Sequence, residues 1–325
     1  MSFRDIKGQD KTIHLLQECL RQSHVATAYL FLGPEGIGKS MIAKTLAKAI
    51  NCLQGSTDSC DRCISCLKIE KNGHPDLHII GSSINNDESS TDAIKIEDIR
   101  RLQKLINLKP YEGKKSVFII DNAHNLTPEA SGALLKTLEE PPKNSLIILI
   151  SSKPALLFKT IISRCQIFKF SPLPRIGLEQ MLKTDYSFDN NKAHFLSFFS
   201  EGRLGHALNL NNAGIFEEKN KIIDGFIRHQ PDDLEGLFTK NRNSMRICMN
   251  ILATWFRDIY LIKIGAPHSE LINLDYKNQL LGLMNRYSFS DLDEALNYIC
   301  ESLLYLEQNV NIKLLLAYFM HLTKG

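Results

Sequence analysis

Three groups of residues in this chain have types and spacings suited to chemistry. Gly33-Pro34-Glu35-Gly36-Ile37-Gly38-Lys39-Ser40 matches the phosphate-loop pattern G-x-x-x-x-G-K-[ST] at every fixed position. In such a loop Gly36 and Gly38 let the backbone aim its N–H groups at phosphate oxygens, and the following helix N-terminus adds partial positive charge. Lys39 then reaches the β- and γ-phosphates, and Ser40 offers its hydroxyl to Mg²⁺. The second group is a single carboxylate, Asp121, closing the apolar run Val117-Phe118-Ile119-Ile120. Such a run reads as a parallel strand buried on both faces. A carboxylate at its C-terminal end can hold the Mg²⁺ that a phosphate loop presents. The third group is Cys52, Cys60, Cys63 and Cys66, four thiols of which the last three stand at x₂ spacing. They can close a tetrahedron around one soft cation, for which Zn²⁺ fits best, and four protein ligands make the site structural. His74 lies near enough in sequence to replace one thiol, but beside Pro75 it reads as a solvated loop residue.

The elements needed to position these groups are legible around them. Ala28-Tyr29-Leu30-Phe31-Leu32 reads as a buried strand ahead of the loop, and Met41 to Ile50 as the helix after it. Residues 9–22 form a preceding helix, with Ile13, Leu15, Leu16 and Leu20 at helical spacing. The Gln, Gly, Ser, Thr and Asp around the four cysteines indicate a loop. Leu77 to Ile80 is a short strand, Gly81 to Asp92 an exposed polar loop, Ile94 to Leu108 a helix, and Tyr111 to Lys115 a turn. Thr127-Pro128-Glu129 opens a helix with an N-cap, a proline in the first turn and an acid at the dipole. That helix runs toward Glu140 and stops at Pro141-Pro142. Leu146 to Ile150 is another buried strand ending in Ser151-Ser152. A short strand ends at Phe170, and Ser171-Pro172-Leu173-Pro174 marks a boundary. From Arg175 the pattern is helical throughout, in a small block to about residue 212 and a larger one beyond.

Composition narrows the function classes. A chain of 325 residues has room for about two or three domains, and 43% apolar with 23% charged residues is ordinary for a globular protein. A formal net charge of +3 argues by itself neither for nucleic acid nor for an acidic partner. The chain has no apolar stretch of about 18 residues and no signal-peptide core, so a cytoplasmic protein without a membrane span is expected. In that compartment its eight cysteines serve as ligands and core residues rather than disulfides. Cys19, Cys165, Cys248 and Cys300 lack ligand spacing and read as small buried residues. Trp255 and Phe256 read as helical core.

In order along the chain come the phosphate loop, a Cys-x₇-Cys-x₂-Cys-x₂-Cys insertion, the Asp-ended strand, Ala133-Leu134-Leu135-Lys136-Thr137-Leu138-Glu139-Glu140-Pro141-Pro142, and Ser163-Arg164-Cys165. This order resembles bacterial DNA polymerase III clamp-loader subunits of the AAA+ class. The motifs cover residues 1 to about 212, and beyond them only size, helical pattern and Asn309-Val310-Asn311 agree. The resemblance implies an α/β plus all-α architecture: an AAA+ P-loop domain over 1–170 with a zinc module at about 51–70, a three-helix lid over 171–212, and a helical collar over 213–325. It implies nucleotide binding by Gly33, Pro34, Glu35, Gly36, Ile37, Gly38, Lys39, Ser40, Met41 and Asp121, with ATP and Mg²⁺ as cofactors and Ser40 and Asp121 at the magnesium ion. It also implies a hetero-pentamer with gamma/tau and delta subunits that acts on a sliding clamp and primed DNA within the polymerase holoenzyme.

Two departures choose a branch of the family. In ATPase members the strand-end Asp is followed by a Glu that activates water, whereas here the residue is Asn122, whose amide cannot take the proton. The lid of ATPase members carries a sensor arginine, and the matching position in Glu201-Gly202-Arg203-Leu204-Gly205 is Gly205. Arg203, two residues away, would point to another helix face. Groups that hold nucleotide remain while groups that act on its γ-phosphate are gone, a pattern that resembles the delta-prime stator branch. There the Ser-Arg-Cys arginine, Arg164, acts in trans on a neighbour's nucleotide, and the chain itself is a weak or inactive ATPase. The alternatives are a gamma/tau-type motor with another acid as base, and a scaffold whose phosphate loop is vestigial.

Overall fold

A computed structural model describes residues 1–55, 57–81, 93–228, 241–308, 310 and 315. The expected polar loop after Gly81, Ser56 of the cysteine stretch, and Asn309 and Asn311 lie outside the described residues. The chain divides into two compact units, one of Met1–Leu173 with Arg203–Gly205 and one of Pro174–Gly202 with His206–Gly325.

The first unit is built on five parallel strands: β1 (Ala28–Leu32), β2 (Leu77–Ile80), β3 (Ser116–Ile120), β4 (Ser145–Ser151) and β5 (Gln166–Lys169), in the spatial order β2-β3-β4-β1-β5. The inner strands read as unbroken apolar runs because both of their faces are covered. Tyr29, Phe31, Val117, Ile119, Leu146, Ile148 and Ile150 pack on one side with α1 (Asp10–Arg21) and α2 (Lys39–Asn51). Leu30, Phe118, Ile120, Ile147 and Leu149 pack on the other, with α4 (Ile96–Ile106) and α5 (Pro128–Glu139). Truncating any of these fully buried side chains to alanine costs about 2–5 kcal/mol.

Local signals set most boundaries. Thr127 caps α5 by accepting from the Ala130 N–H at 3.2 Å, with Pro128 in the first turn, as expected. Helix α2 starts at Lys39 rather than Met41, because the left-handed turn at Gly38 (φ 93°) releases the chain directly into helix. The cysteine stretch is not all loop: α3 (Ile64–Glu70) lies between α2 and α4, and its first turn contains Cys66.

Helix α6 (Lys159–Ile162) precedes β5 in the first unit. The second unit is helical in its described residues, with α7 (Arg175–Thr184), α8 (Asn190–Phe199), most of α9 (Leu204–Asn212), α10 (Ile215–Ile227), α11 (Arg242–Lys263), α12 (Lys277–Leu283) and α13 (Phe289–Glu307). Trp255 and Phe256 are fully buried in its core, as expected, with edge-on contacts to Tyr276 and Tyr287. The same core holds Lys219, whose ammonium lies 2.5 Å from Asp275 and 4.4 Å from the Phe216 ring centroid. Among the other cysteines, Cys248 is buried and Cys19 and Cys165 half-buried, while Cys300 is exposed, against the expectation that it packs inside.

Candidate functional site

The C-terminal edge of the sheet assembles the phosphate-loop residues. Gly33 has φ 157°, and a Cβ on it would stand 2.5 Å from the Phe170 carbonyl oxygen, so only glycine lets the loop leave β1 beside the end of β5. Lys39 is buried at the start of α2 and donates to the carbonyls of Gly33 and Pro34 at 2.6 and 2.5 Å. Burial holds its ammonium below the ordinary lysine value, against the opposing pull of Asp121 and Glu35. The Ser40 hydroxyl donates to Asp121 Oδ2 at 2.9 Å, which brings the two expected magnesium ligands together from α2 and the end of β3.

Around this pair the edge of the sheet is polar. Asn122 takes the left-handed conformation (φ 51°, ψ 46°), which asparagine tolerates better than most residues, and its N–H donates to Asp121 Oδ1 at 3.0 Å. Ser151, fully buried, pairs with His124 Nδ1 at 3.3 Å, while half-buried Ser152 donates to Glu35 of the phosphate loop at 3.1 Å. Burial and the nearby Lys153 lower the His124 pKa. The segment Arg203–Gly205 also belongs to this unit: the Gly205 N–H donates to the Gly36 carbonyl at 2.8 Å. A Cβ at Gly205 would meet that oxygen at 2.8 Å, so the close approach requires glycine. Arg203 precedes α9, which begins at Leu204.

Arg164 stands at the opposite end of the sheet. It lies two residues before Gln166, which pairs in parallel register with Tyr29 near the start of β1. The chain's own phosphate loop leaves the other end of β1, about 20 Å away along the strands at about 3.3 Å per residue. The guanidinium donates to Glu139 Oε1 at 2.6 Å and to the Thr160 carbonyl at 3.0 Å.

The four thiols meet. The Sγ atoms of Cys52, Cys60, Cys63 and Cys66 all lie within 4.8 Å of one another, compatible with the S···S spacing of about 3.8 Å that Zn–S bonds of about 2.3 Å impose. Backbone N–H groups point at the sulfurs, from Cys63 to Cys60 at 3.3 Å and from Cys66 to Cys63 at 3.5 Å. The Arg62 N–H is the main influence that lowers the Cys60 thiol to about 6, which favours the thiolate a metal needs. Burial pushes the Cys66 thiol up. Cys52 and Cys66 are buried, and Cys60 and Cys63 half-buried. These residues fit a metal ion. His74 is outside the set and is not solvated: it is buried, within hydrogen-bond distance of Ser65 Oγ and the Asp76 N–H, both at 3.1 Å.

A family model for the DNA polymerase III delta subunit matches residues 8–174, and one for the C-terminal part of that subunit matches residues 231–323. The chain belongs to the DNA polymerase III delta-subunit family. It is 29% identical over 323 residues to DNA polymerase III subunit delta' of Bacillus subtilis (strain 168), which covers 96% of this chain and 95% of the relative. It is 37% identical to DNA polymerase III subunit gamma/tau of Mycoplasma pneumoniae, across 55% of this chain and 25% of that one. With DNA polymerase III subunit tau of Escherichia coli (strain K12) it shares 36% identity, over 66% of this chain and 33% of that one. The chain thus spans a quarter to a third of these gamma/tau relatives and nearly the whole of the delta' subunit. Among solved structures, a DNA polymerase III gamma subunit-related protein of Thermotoga maritima is 15% identical with a TM-score of 0.44, covering 96% of this chain and 98% of that one. No helix of the described residues is long and apolar enough to cross a membrane.

Several contacts had no sequence signal. Glu35 with Ser152, His124 with Ser151, and Gly205 with Gly36 join residues far apart in the chain. Asp76 is another: its carboxylate accepts the N–H groups of Tyr111, Glu112 and Gly113 at 2.6, 2.8 and 2.7 Å. A His-Pro-Asp stretch before a strand carries no mark of that role.

Proposed function

We propose that this chain is the stator subunit of a bacterial DNA polymerase III clamp loader. It holds Mg-ATP with little or no hydrolysis and lends Arg164 to the nucleotide of a neighbouring subunit. The observation that carries this reading is the split at the end of β3: Asp121 meets Ser40 at 2.9 Å, while the next residue is Asn122. Gly33 to Met41 and Asp121 bind the nucleotide, with Ser40 and Asp121 at Mg²⁺. Asn122 orders no proton transfer from water, because an amide has no titratable carboxylate. Ser152, hydrogen-bonded to the phosphate loop through Glu35, is the serine that faces the γ-phosphate. Gly205 offers only its backbone N–H where a motor subunit offers an arginine.

The location of Arg164 supports its action in trans. Its pair with Glu139 is solvent-exposed, and such pairs are worth about 0–1 kcal/mol, so the guanidinium can exchange a carboxylate for a phosphate at little cost. Cys52, Cys60, Cys63 and Cys66 hold a structural Zn²⁺. Residues 171–212 act as lid and 213–325 as collar in a cytoplasmic pentamer with gamma/tau and delta subunits, which loads a sliding clamp on to primed DNA.

Steady-state ATP hydrolysis tests the reading, first for the chain alone and then with gamma/tau partner, clamp and primed DNA, for wild type and Arg164→Ala. The chain alone is expected to be inactive, and the substitution to lower the rate of the mixture. Hydrolysis by the chain alone that Lys39→Ala abolishes would overturn it in favour of a motor. Glu35, the acid beside Ser152, would then be the replacement base to test with Glu35→Gln.

A further inference from the structure

One helix runs from the phosphate loop to the thiol cluster. Lys39 and Ser40 form the first turn of α2, and Cys52, the first thiol, is its C-cap residue. The helix grips the rest of the cysteine module at two further points. Lys44 Nζ donates to the Glu70 carbonyl at 2.7 Å. Lys48, whose side chain is only 1% exposed, donates to Asp61 Oδ1 at 2.7 Å and Glu70 Oε2 at 2.6 Å, and to the Met1 carbonyl. Asp61 follows the ligand Cys60 and is fixed in the left-handed conformation (φ 54°) with the Ser59 hydroxyl on the same oxygen at 2.9 Å. Glu70 ends the helix whose first turn carries Cys66. Asp61 and Glu70 are partly exposed and also face the N-terminal ammonium at 3.0 and 3.5 Å, so the buried member of the cluster is Lys48, which loss of these carboxylates would strand. The residue pattern of a phosphate loop needs none of these contacts.

We propose that Lys48 is a positioning residue that couples metal occupancy of the four thiols to nucleotide occupancy of the phosphate loop through α2. The proposal rests on the nucleotide and zinc assignments above. A metal on Cys52 fixes the C-terminal end of α2, and phosphate on Lys39 and Ser40 fixes its N-terminal end. Because α2 is one continuous packed helix gripped by Lys48, a ligand that sets the position of one end also sets where the other end meets its own ligand, which makes the two bindings mutually favourable. By linkage the factor is the same in both directions.

The test uses untagged full chain under reducing conditions. Zinc affinity is measured by equilibrium competition with a chromogenic chelator, with and without ATPγS and Mg²⁺, for wild type, Lys48→Met and Lys48→Arg. Wild type is expected to hold zinc about fivefold more tightly with nucleotide, and zinc-free protein to bind ATPγS about fivefold more weakly. Lys48→Met should bind both ligands with that factor reduced to about one, while Lys48→Arg, which keeps the charge, restores it. Should Lys48→Met fail to fold, Asp61→Asn removes one of the two ion pairs from the other side and should lower the factor. A zinc affinity of wild type that nucleotide leaves unchanged overturns the coupling, and so does an undiminished factor in the Lys48→Met or Asp61→Asn variant. Wild type that contains no zinc, or retains no ATPγS, overturns the site assignments instead.

Discussion

The two ends of one parallel sheet carry opposite chemistry. At the C-terminal end, Lys39, Ser40 and Asp121 converge within hydrogen-bond distance of the loop or of one another, yet Asn122 supplies no base. At the N-terminal end Arg164 sits exposed beside Glu139, about 20 Å from the chain's own loop along the strands. A parallel sheet separates these ends by construction, since the loops following the strands gather on one edge and those preceding them on the other. On the function proposed above, a chain can therefore keep the residues for holding a nucleotide and the arginine that acts on a neighbour's, and still not bring them together within itself.

The largest expected effect tests the far end. Arg164→Ala should lower ATP hydrolysis at the neighbouring site of a reconstituted assembly by about 10³-fold or more, on the scale of arginine fingers in GTPases. ATP binding by the isolated variant should match wild type. A steady-state rate within twofold of wild type would collapse the contrast between the ends. At the near end, Lys39→Ala should weaken Mg-ATP binding by about 100-fold, or about 2.7 kcal/mol, in a calorimetric titration.

Asp76 sharpens the comparison because it precedes β2 at the same end as Arg164 and has a purely structural part. Asp76→Asn should cost about 2 kcal/mol in urea unfolding, by breaking the carboxylate that accepts three N–H groups. Burial raises this carboxyl, but those N–H bonds outweigh it and hold the folded value below the ordinary aspartate value. A depressed folded value stabilises the protein above the unfolded value, and that contribution is lost as pH falls below about 4 through the folded one. The gap between wild type and Asp76→Asn should therefore be wider at pH 7 than at pH 3. A gap that is constant with pH would assign the effect to packing.

The smallest effect belongs to Gly205→Ala, whose Cβ must displace the Gly36 carbonyl from 2.8 Å. The strain of such overpacking is about 1 kcal/mol, the low end for this class, and should appear as ATP binding about fivefold weaker. Unaltered binding would show that this backbone contact has no part in the nucleotide site.

The residues legible in advance were those whose signal is local. The phosphate loop, the strand before it and the helix after it, Asp121 at a strand end, the Thr127-Pro128 cap and the four cysteines are each a pattern within fifteen residues or fewer, dictated by backbone geometry or ligand type. The burial of His74 carries no local signal, because its partners Ser65 and Asp76 meet it only in the folded chain. Helix α3 is not legible in the sequence, because seven residues with polar flanks carry too few turns for periodicity to show.

The amino-acid sequence by itself determined the parts: which loop can hold phosphate, which thiols can hold a metal, and that the strand-end residue is an amide. Tertiary structure alone decided their relations. It set Ser40 against Asp121, Gly205 against Gly36, Lys48 against Asp61 and Glu70, and Arg164 at the far end of the sheet. Those relations join residues up to 169 positions apart, counted from Gly36 to Gly205. They follow from strand order and helix packing, which are set by burial of the whole core rather than by any short stretch of chain.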